Sequence, residues 1–186
     1  MNYRICHWLA LFLLLFAGTT ACSTPQTRFY KHYTNYDGEI NQHTRLINAP
    51  PELIFSLLTN PDEFTALAPK FTRVSFDTPP PYQVGTRLKV NINHLLKFTW
   101  HTQVRELVPN RKARLEFLDG LFAGGTEIWE LEPQGDATRV IQTIIVSPKG
   151  FSKAFIWNLK ARNRHNQMAE KFLDNLRARA ESMENS

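Results

Sequence analysis

The stretch "NAPPELIFSLLTNPDEFTALAP", residues 48–69, decides the fold. Two prolines after Ala49 are well placed to begin a helix, because proline lacks an amide hydrogen that the first helical turn does not use. Pro61 ends this helix and begins a second one, and Pro69 ends the second. Helices this short are not stable alone, so the stretch predicts a helical cap packed against a larger layer.

Short strand-like runs fill the chain between residues 71 and 148. Breakers such as "DTPPPYQVG", "VPNRK" and "EPQGDA" recur there, and the runs between them, such as "GTRLKVNIN" and "TEIWELE", favour strands. One more such run, "GEINQHTRLI" at residues 38–47, precedes the helical stretch. The pattern predicts about six strands in an antiparallel meander, joined by the first run to make about seven.

The C-terminal residues change to a helical period. At ~100° per residue, one stripe of a long helix contains Phe155, Leu159, Ala169, Leu173, Leu176 and Ala180. A long amphipathic helix needs an apolar surface to cover, and the curved sheet offers one. The sequence therefore predicts an α+β domain in which this helix closes the concave face of the sheet.

Three stretches carry a resemblance to a known superfamily: "APPELIFSLLTNPDEF", "FTWHTQVRELVPNRKARLEF" and "GGTEIWELEPQGDATRVIQT". With the order of the elements around them, they resemble the START-like (SRPBCC) superfamily. It includes polyketide cyclases and dehydrases, lipid-transfer domains and coenzyme Q-binding proteins. The resemblance covers residues 38–182 and implies a helix-grip fold, with an apolar cavity between the sheet and the last helix.

The N-terminus has the order of residues that is typical of a secretory signal. Arg4 precedes the apolar run "WLALFLLLF", and small residues follow up to Ala21. The run is too short to cross a bilayer as a finished helix, which needs about 20 residues. Cys22 then resembles the lipobox cysteine of bacterial lipoproteins, which implies that its thiol is lipidated. Thr19 departs from that pattern, and an uncleaved anchor or a plain signal peptide is the alternative.

These features predict the organisation and the location of the protein. We expect a signal peptide over residues 1–21, a lipidated Cys22 with a tether over residues 22–37, and a START-like ligand-binding domain over residues 38–184. Loss of Cys6 with the signal would leave no partner for an internal disulfide. In the resembled lipoproteins, Ser23 rather than Asp implies that the inner membrane does not retain the protein. The prediction is an exported, lipid-anchored protein, at the outer membrane facing the periplasm if the source is Gram-negative.

Arg162 and Asn166 are the polar residues that stand out on the long helix. Their angular positions lie near the centre of the apolar stripe. A guanidinium on an inner face is costly unless it is paired, so it could meet the polar end of a ligand. The alternatives are an ion pair with a strand carboxylate such as Glu127, or a side chain that reaches outward from the cavity mouth.

The walls of the expected cavity come from the strands and the long helix. An error of one residue in a strand register swaps the two faces, so not every inward position can be assigned. The predicted ligand-binding residues are Trp100, Trp129, Phe155, Leu159, Arg162, Asn166, Ala169 and Leu173.

A second surface is predicted to contact a membrane. The chain carries a net charge of +5, and residues 149–164 contain five basic side chains and no acidic one. Nucleic acid would fit this charge, but an exported lipoprotein rarely meets it, so none is predicted as a partner. A solvated basic face and ordinarily packed loops are the alternatives. The candidate contacts are Lys153, Trp157, Lys160 and Arg164 on the outward side of the helix, and Leu95, Leu96, Leu121 and Phe122 in two loops.

Motifs of catalysis and metal binding are missing from the sequence. It has no "HExxH", no paired "CxxC" and no phosphate-binding "GKS" or "GKT" loop, and its histidines lack the spacing of metal ligands. No catalytic residue, metal or cofactor is therefore assigned. The function predicted is that of a membrane-tethered monomer that binds or transfers a small hydrophobic or amphipathic ligand, such as a lipid or an isoprenoid.

Two other functions stay open. A cyclase- or dehydrase-like enzyme would use the same cavity, with Arg162 as the electrophilic partner of a carbonyl. A structural lipoprotein would have the cavity filled by its own side chains. An open cavity with a polar cluster would favour the enzyme, and a packed interior with no void of ligand size would favour the structural protein.

Overall fold

The structure, a computed structural model, describes Tyr33, residues 36–93, residues 97–147, Trp157 and residues 161–185. The chain divides into two compact units, residues 1–34 and residues 35–186, and the fold below is that of the second. The predicted signal peptide and Cys22 lie outside the described residues, so these domain boundaries stay a prediction.

One antiparallel sheet of seven strands forms the body of this unit. Its order is β1-β7-β6-β5-β4-β3-β2, so the first and last strands pair with each other and β1 and β2 lie at the edges. The predicted sheet of about seven strands is confirmed. The strands are β1 (Glu39–Ile47), β2 (Thr72–Phe76), β3 (Arg87–Ile92), β4 (Phe98–Val108), β5 (Lys112–Phe117), β6 (Thr126–Gln134) and β7 (Ala137–Val146).

Two short helices follow β1, as the prolines predict. They are α1 (Pro51–Thr59) and α2 (Pro61–Leu67). Asn60 ends the first and caps the second, because its side-chain oxygen accepts hydrogen bonds from the amides of Asp62 and Glu63 at 2.9 and 3.2 Å. Both helices pack their apolar residues into the core and contribute to its cover.

The long C-terminal helix is α3 (Arg162–Glu184). The predicted stripe is confirmed from Ala169 to Ala180, whereas Phe155 and Leu159 lie outside the described residues. No helix in the described part of the chain has an apolar stretch long enough to span a bilayer. The buried side chains of α3 are His165, Ala169, Phe172, Leu173, Leu176 and Ala180.

The sheet curls around α3, which gives the helix-grip α+β fold that the sequence predicts. In the β6–β7 ladder, Trp129 lies opposite Gln142 and Glu127 lies opposite Ile144. Because side chains alternate along a strand, all four point to the same face of the sheet. That face also carries Trp100 and is covered by α3, so the polar pair Glu127 and Gln142 is brought into an otherwise apolar layer.

Candidate functional site

A small cavity lies between the concave face of the sheet and α3. The sheet contributes the rings of Trp100, Phe117 and Trp129, and α3 contributes Met168 and Phe172. Its volume is about 40 Å³, which is room for about three water molecules. Binding sites for drug-sized molecules measure about 300–1,000 Å³. The interior is therefore more closely filled than the sequence analysis predicts, although the cavity is where it was expected.

Three of the predicted ligand-binding residues line this cavity. Trp100 and Trp129 are 3% and 5% exposed and form part of its sheet side. Ala169 lies on the opposite wall, where its small side chain leaves space beneath α3. Leu173 is fully buried in the core beside it and does not line the cavity. The role of these residues in binding a ligand stays a prediction.

The structure corrects the position predicted for Arg162. Its side chain is 44% exposed, and its Nη1 lies 2.7 Å from Oε1 of Glu39 at the start of β1. Arg162 is the first residue of α3, and an angular position does not tell where a helix begins relative to the sheet it covers. The predictions of an inward guanidinium and of its pairing with Glu127 are therefore wrong. Of the alternatives, a side chain that reaches outward agrees with the structure, and its partner is Glu39.

Asn166 does not line the cavity either. It is half-buried, and its Oδ1 accepts a hydrogen bond from Nδ2 of Asn41 on β1 at 2.6 Å. This contact joins the first turns of α3 to the edge strand. The prediction that Asn166 orients a ligand is therefore not supported by its position.

The inward polar residue of α3 is His165, which the sequence analysis did not single out. It is 2% exposed and lines the cavity. Burial, and then the charge of His43, lowers the pKa of His165 to about 3, so the imidazole is neutral at physiological pH. His165 lies four residues before Ala169 and seven before Phe172, which are both on the buried face of the helix. This spacing could have indicated that His165 is buried too.

Glu127 and Gln142 form the other polar part of the cavity wall. The Nε2 of Gln142 donates a hydrogen bond to Oε1 of Glu127 at 3.0 Å. Glu127 is half-buried where it lines the cavity. Burial raises the pKa of its carboxyl group above the usual range, although hydrogen bonds from Gln142 and Trp129 lower it in part. Burial, followed by the charge of Glu127, also raises the pKa of Tyr82. Alternating strand charges normally face solvent, so the sequence named Glu127 only as an alternative partner of Arg162 and not as part of the cavity wall.

A polar cluster fastens α3 to β1 beside the cavity. The Nδ1 of His43 lies 2.7 Å from Oε1 of Glu170, and Nη2 of Arg45 lies 2.6 Å from Oε2 of the same carboxylate. Arg45 also lies 3.1 Å from Asp174, one turn further along the helix. Two residues of the edge strand thus hold two successive turns of α3, which fixes the helix over the sheet.

Trp157 was predicted on the outward side of the helix, but it is 1% exposed. Its indole N–H donates to Oε2 of Glu39 at 2.9 Å, and its ring lies 5.5 Å from that of Phe122. The backbone is π-helical at Trp157 and Ala161. A π turn winds by less than 100° per residue, since its hydrogen bonds span five residues rather than four, so extrapolating the α-helical angle misplaced this side chain.

The other predicted membrane contacts have mixed positions. Phe122 is 4% exposed and packs edge-on against Trp100, so the alternative of ordinary packing holds for it. Leu121 is half-buried beside the core. Arg164 is half-buried and donates to Oε1 of Gln167 at 2.9 Å. The remaining candidates lie outside the described residues: Leu95, Leu96, Lys153 and Lys160.

Among the residues that the structure describes, no group of three or more His, Cys, Asp or Glu side chains is arranged to hold an ion. His101, one of the histidines considered from the sequence, lies 2.6 Å from Asp119 on the surface. Hydrogen-bonding groups among aromatic walls are thus what the described lining of the cavity offers.

The sequence matches a family described as "Polyketide cyclase / dehydrase and lipid transport" over residues 41–181. This range spans most of β1, the other six strands and nearly all of α3. Among curated proteins, none matches the sequence of this chain.

Solved structures share the fold. TTHA0849 from Thermus thermophilus is 18% identical, with a TM-score of 0.65, over 78% of this chain and 99% of that one. Protein CV1439 from Chromobacterium violaceum is 18% identical, with a TM-score of 0.58, over 76% and 96%. The major latex-like protein 151 of Panax ginseng is 11% identical, with a TM-score of 0.62, over 76% and 97%. Identities this low relate the folds and not the functions.

Proposed function

The chain belongs to the polyketide cyclase / dehydrase and lipid transport family, and on this basis we propose that it binds a small hydrophobic or amphipathic molecule beneath α3. The observation that carries the proposal is the space left among Trp100, Trp129 and Phe172. Well-packed interiors leave few voids larger than a water molecule, so a cavity at the centre of the helix-grip fold is a place for a ligand. Its aromatic walls supply affinity through the burial of apolar surface.

The cavity must widen to accept such a molecule. Met168 lines it from α3, and an unbranched thioether side chain changes its shape more readily than a ring does. The ring of Phe172 lies 4.9 Å from that of Phe64, so these two rings close the side of the cavity towards α2. Separating them exposes space at the expense of their contact. The observed affinity for the ligand is thus the affinity of the widened state multiplied by the fraction of protein molecules that adopt this state.

The proposal includes a membrane anchor for the whole protein. The small residues that end at Ala21, followed directly by Cys22, support export and lipidation of the new N-terminus. A tether over residues 22–37 would keep the domain near the membrane, where apolar ligands concentrate. The protein would then act as a monomer at the outer membrane, facing the periplasm if the source is Gram-negative, and would bind or transfer the ligand there.

The first test fills the cavity. Ala169→Phe adds a ring beneath α3, and we expect it to abolish the fluorescence enhancement of the neutral apolar dye N-phenyl-1-naphthylamine with the full-length chain. Ala178→Phe makes the same change on the exposed side of α3 and should leave dye binding intact. Native mass spectrometry with solvent extraction of the purified protein provides a second readout. Equal dye binding by both variants, with no extractable ligand, would contradict the proposal.

A further inference from the structure

The cavity contains a hydrogen-bond acceptor without a partner. Gln142 is 1% exposed, and its Nε2 is engaged with Glu127, but its Oε1 has no hydrogen-bond partner among the residues described. A buried amide oxygen without a donor is costly, and most such groups in folded proteins are paired. The oxygen itself is enclosed, but Gln142 lines the cavity, so a donor on a ligand that widens the cavity can satisfy it.

The charges around the cavity restrict what that donor can belong to. No lysine or arginine is among the described residues that line it, and Arg162 is turned outward to Glu39. A ligand carboxylate would therefore lie beside Glu127 with no cation to compensate its charge. Burial of an unpaired anion is much more costly than burial of a hydroxyl group. The cavity thus disfavours free fatty acids and other acidic amphiphiles.

A hydroxyl group can supply the donor that Gln142 lacks. We propose, resting on the proposed function, that the ligand is a neutral apolar alcohol whose hydroxyl donates to Oε1 of Gln142, beside the carboxyl group of Glu127. The aromatic walls from Trp100, Trp129 and Phe172 surround the apolar body of the same molecule.

The test compares three probes of equal chain length: 1-decanol, decanoate and decylammonium. Each is titrated into the full-length chain by calorimetry at pH 7.5, with the same nonionic detergent in every sample. We expect 1-decanol to bind at least about tenfold more tightly than decanoate, which corresponds to one hydrogen bond and an unpaired charge at the weaker end of their range. Decanoate binding as tightly as 1-decanol, or decylammonium binding more tightly than 1-decanol, overturns the inference and leaves the proposed function standing.

A pair of variants assigns the preference to Gln142. Gln142→Met keeps the length of the side chain and removes the acceptor, so we expect it to lose about tenfold in affinity for 1-decanol. Gln42→Met is the matched control, because Gln42 donates to Thr143 on the opposite face of the sheet. An unchanged affinity in Gln142→Met overturns the inference. Should that variant not fold, the ratio of the three probes in the natural protein decides alone. Failure of all three probes to bind contradicts the proposed function and the inference together.

Discussion

Glu127 lines the cavity and Glu170 lies at the contact between α3 and β1, and their surroundings shift their pKa values in opposite directions. Burial raises the pKa of Glu127, because its carboxylate faces an apolar cavity with only hydrogen bonds to offset the loss of water. Burial also acts on Glu170, but the hydrogen bond and charge of His43 and the charge of Arg45 outweigh it and lower its pKa. The two carboxylates therefore give the stability of the protein opposite pH dependences.

The first prediction at the residue scale concerns Glu127. A carboxyl group with a raised pKa in the folded state stabilises the protein below its unfolded pKa of about 4.5, and this stability is lost as the pH rises through the folded value. Glu127→Gln keeps the acceptor for Gln142 and cannot ionise. We expect the variant to match the natural protein near pH 4 and to exceed it at pH 8 by on the order of 1 kcal/mol, or about 2–4 °C in melting temperature.

The control for this substitution is Glu116→Gln on the surface, where Glu116 pairs with Arg105 at 2.6 Å. A half-exposed pair of this kind contributes little to stability, so the melting curves should differ little from the natural protein at pH 8. A Glu127→Gln variant that is less stable at pH 8 than at pH 4, relative to the natural protein, would show that the buried carboxylate is compensated in the folded state.

A second prediction concerns Cys22. If its thiol carries the lipid anchor, cells grown with radioactive palmitate should label the natural protein and not Cys22→Ala. The chain has one other cysteine, Cys6, which lies in the segment that cleavage would remove. Cys6→Ala is therefore the matched control and should leave the labelling unchanged. Equal labelling of Cys22→Ala and the natural protein would defeat the proposed anchor.

For single residues, the sequence predicted the cavity positions best where the size and polarity of the side chain determine its burial. Trp100, Trp129 and Ala169 were predicted to face the cavity and do so, because aromatic residues on alternating strands and small residues on an apolar stripe have few other places to go. His165 was missed, and Glu127 was named only as an alternative partner of Arg162, because a charged or polar side chain in these patterns is usually solvated. Only the surrounding strands and rings show that these two are enclosed.

Among the secondary-structure elements, α3 depends on polar contacts at its edge as well as on its apolar stripe. Glu170→Gln removes the charge that pairs with His43 and Arg45, which hold the helix to β1. Since Glu170 is half-exposed, we expect the loss at pH 7 to be only about 0.5–1 kcal/mol, to be measured by chemical denaturation. A lowered folded pKa stabilises above the unfolded value of about 4.5, so the difference should disappear as the pH falls through the folded pKa.

The exposed Glu184 near the end of α3 provides the matched control. Glu184→Gln removes the same charge from the same helix, away from His43 and Arg45, and should not change the free energy of unfolding measurably. If Glu170→Gln has the same small effect at every pH, the polar cluster does not hold the helix.

The elements differed in how far the sequence determined them. Pro61 and Asn60 fixed the boundary between α1 and α2, because the chemistry of helix ends is local. Local sequence does not decide the direction in which Trp157 points. The backbone is π-helical at Trp157 and Ala161. The indole packs against Phe122 and donates a hydrogen bond to Glu39, and both partners are distant in the sequence. A periodicity of 3.6 residues per turn does not contain that information.

For the whole molecule, packing and binding compete for the same space. The fold was predictable because the order of helices and strands leaves few arrangements for one sheet and one long helix. The degree to which the cavity is filled was not predictable, since a volume of about 40 Å³ results from the rotamers of many side chains at once. Every ring that closes the cavity stabilises the empty protein and opposes the ligand.

The last prediction separates these two effects at Phe172, which is 7% exposed and lies 4.9 Å from the ring of Phe64 and 5.4 Å from that of Trp129. Phe172→Ala should cost about 3–5 kcal/mol of stability. It should also bind N-phenyl-1-naphthylamine more tightly than the natural protein, because the space no longer has to be opened. The dye should then raise the melting temperature of the variant by more than that of the natural protein, following mass action.

Leu57→Ala provides the comparison, since Leu57 is 2% exposed in α1 and does not line the cavity. It should lose about 2–5 kcal/mol of stability with no gain in dye affinity, which excludes general loosening as the cause. A Phe172→Ala variant that binds the dye no better than Leu57→Ala would mean that the ring does not limit entry. The widening on which binding depends would then have to come from elsewhere around the cavity, with Met168 as the next side chain to truncate.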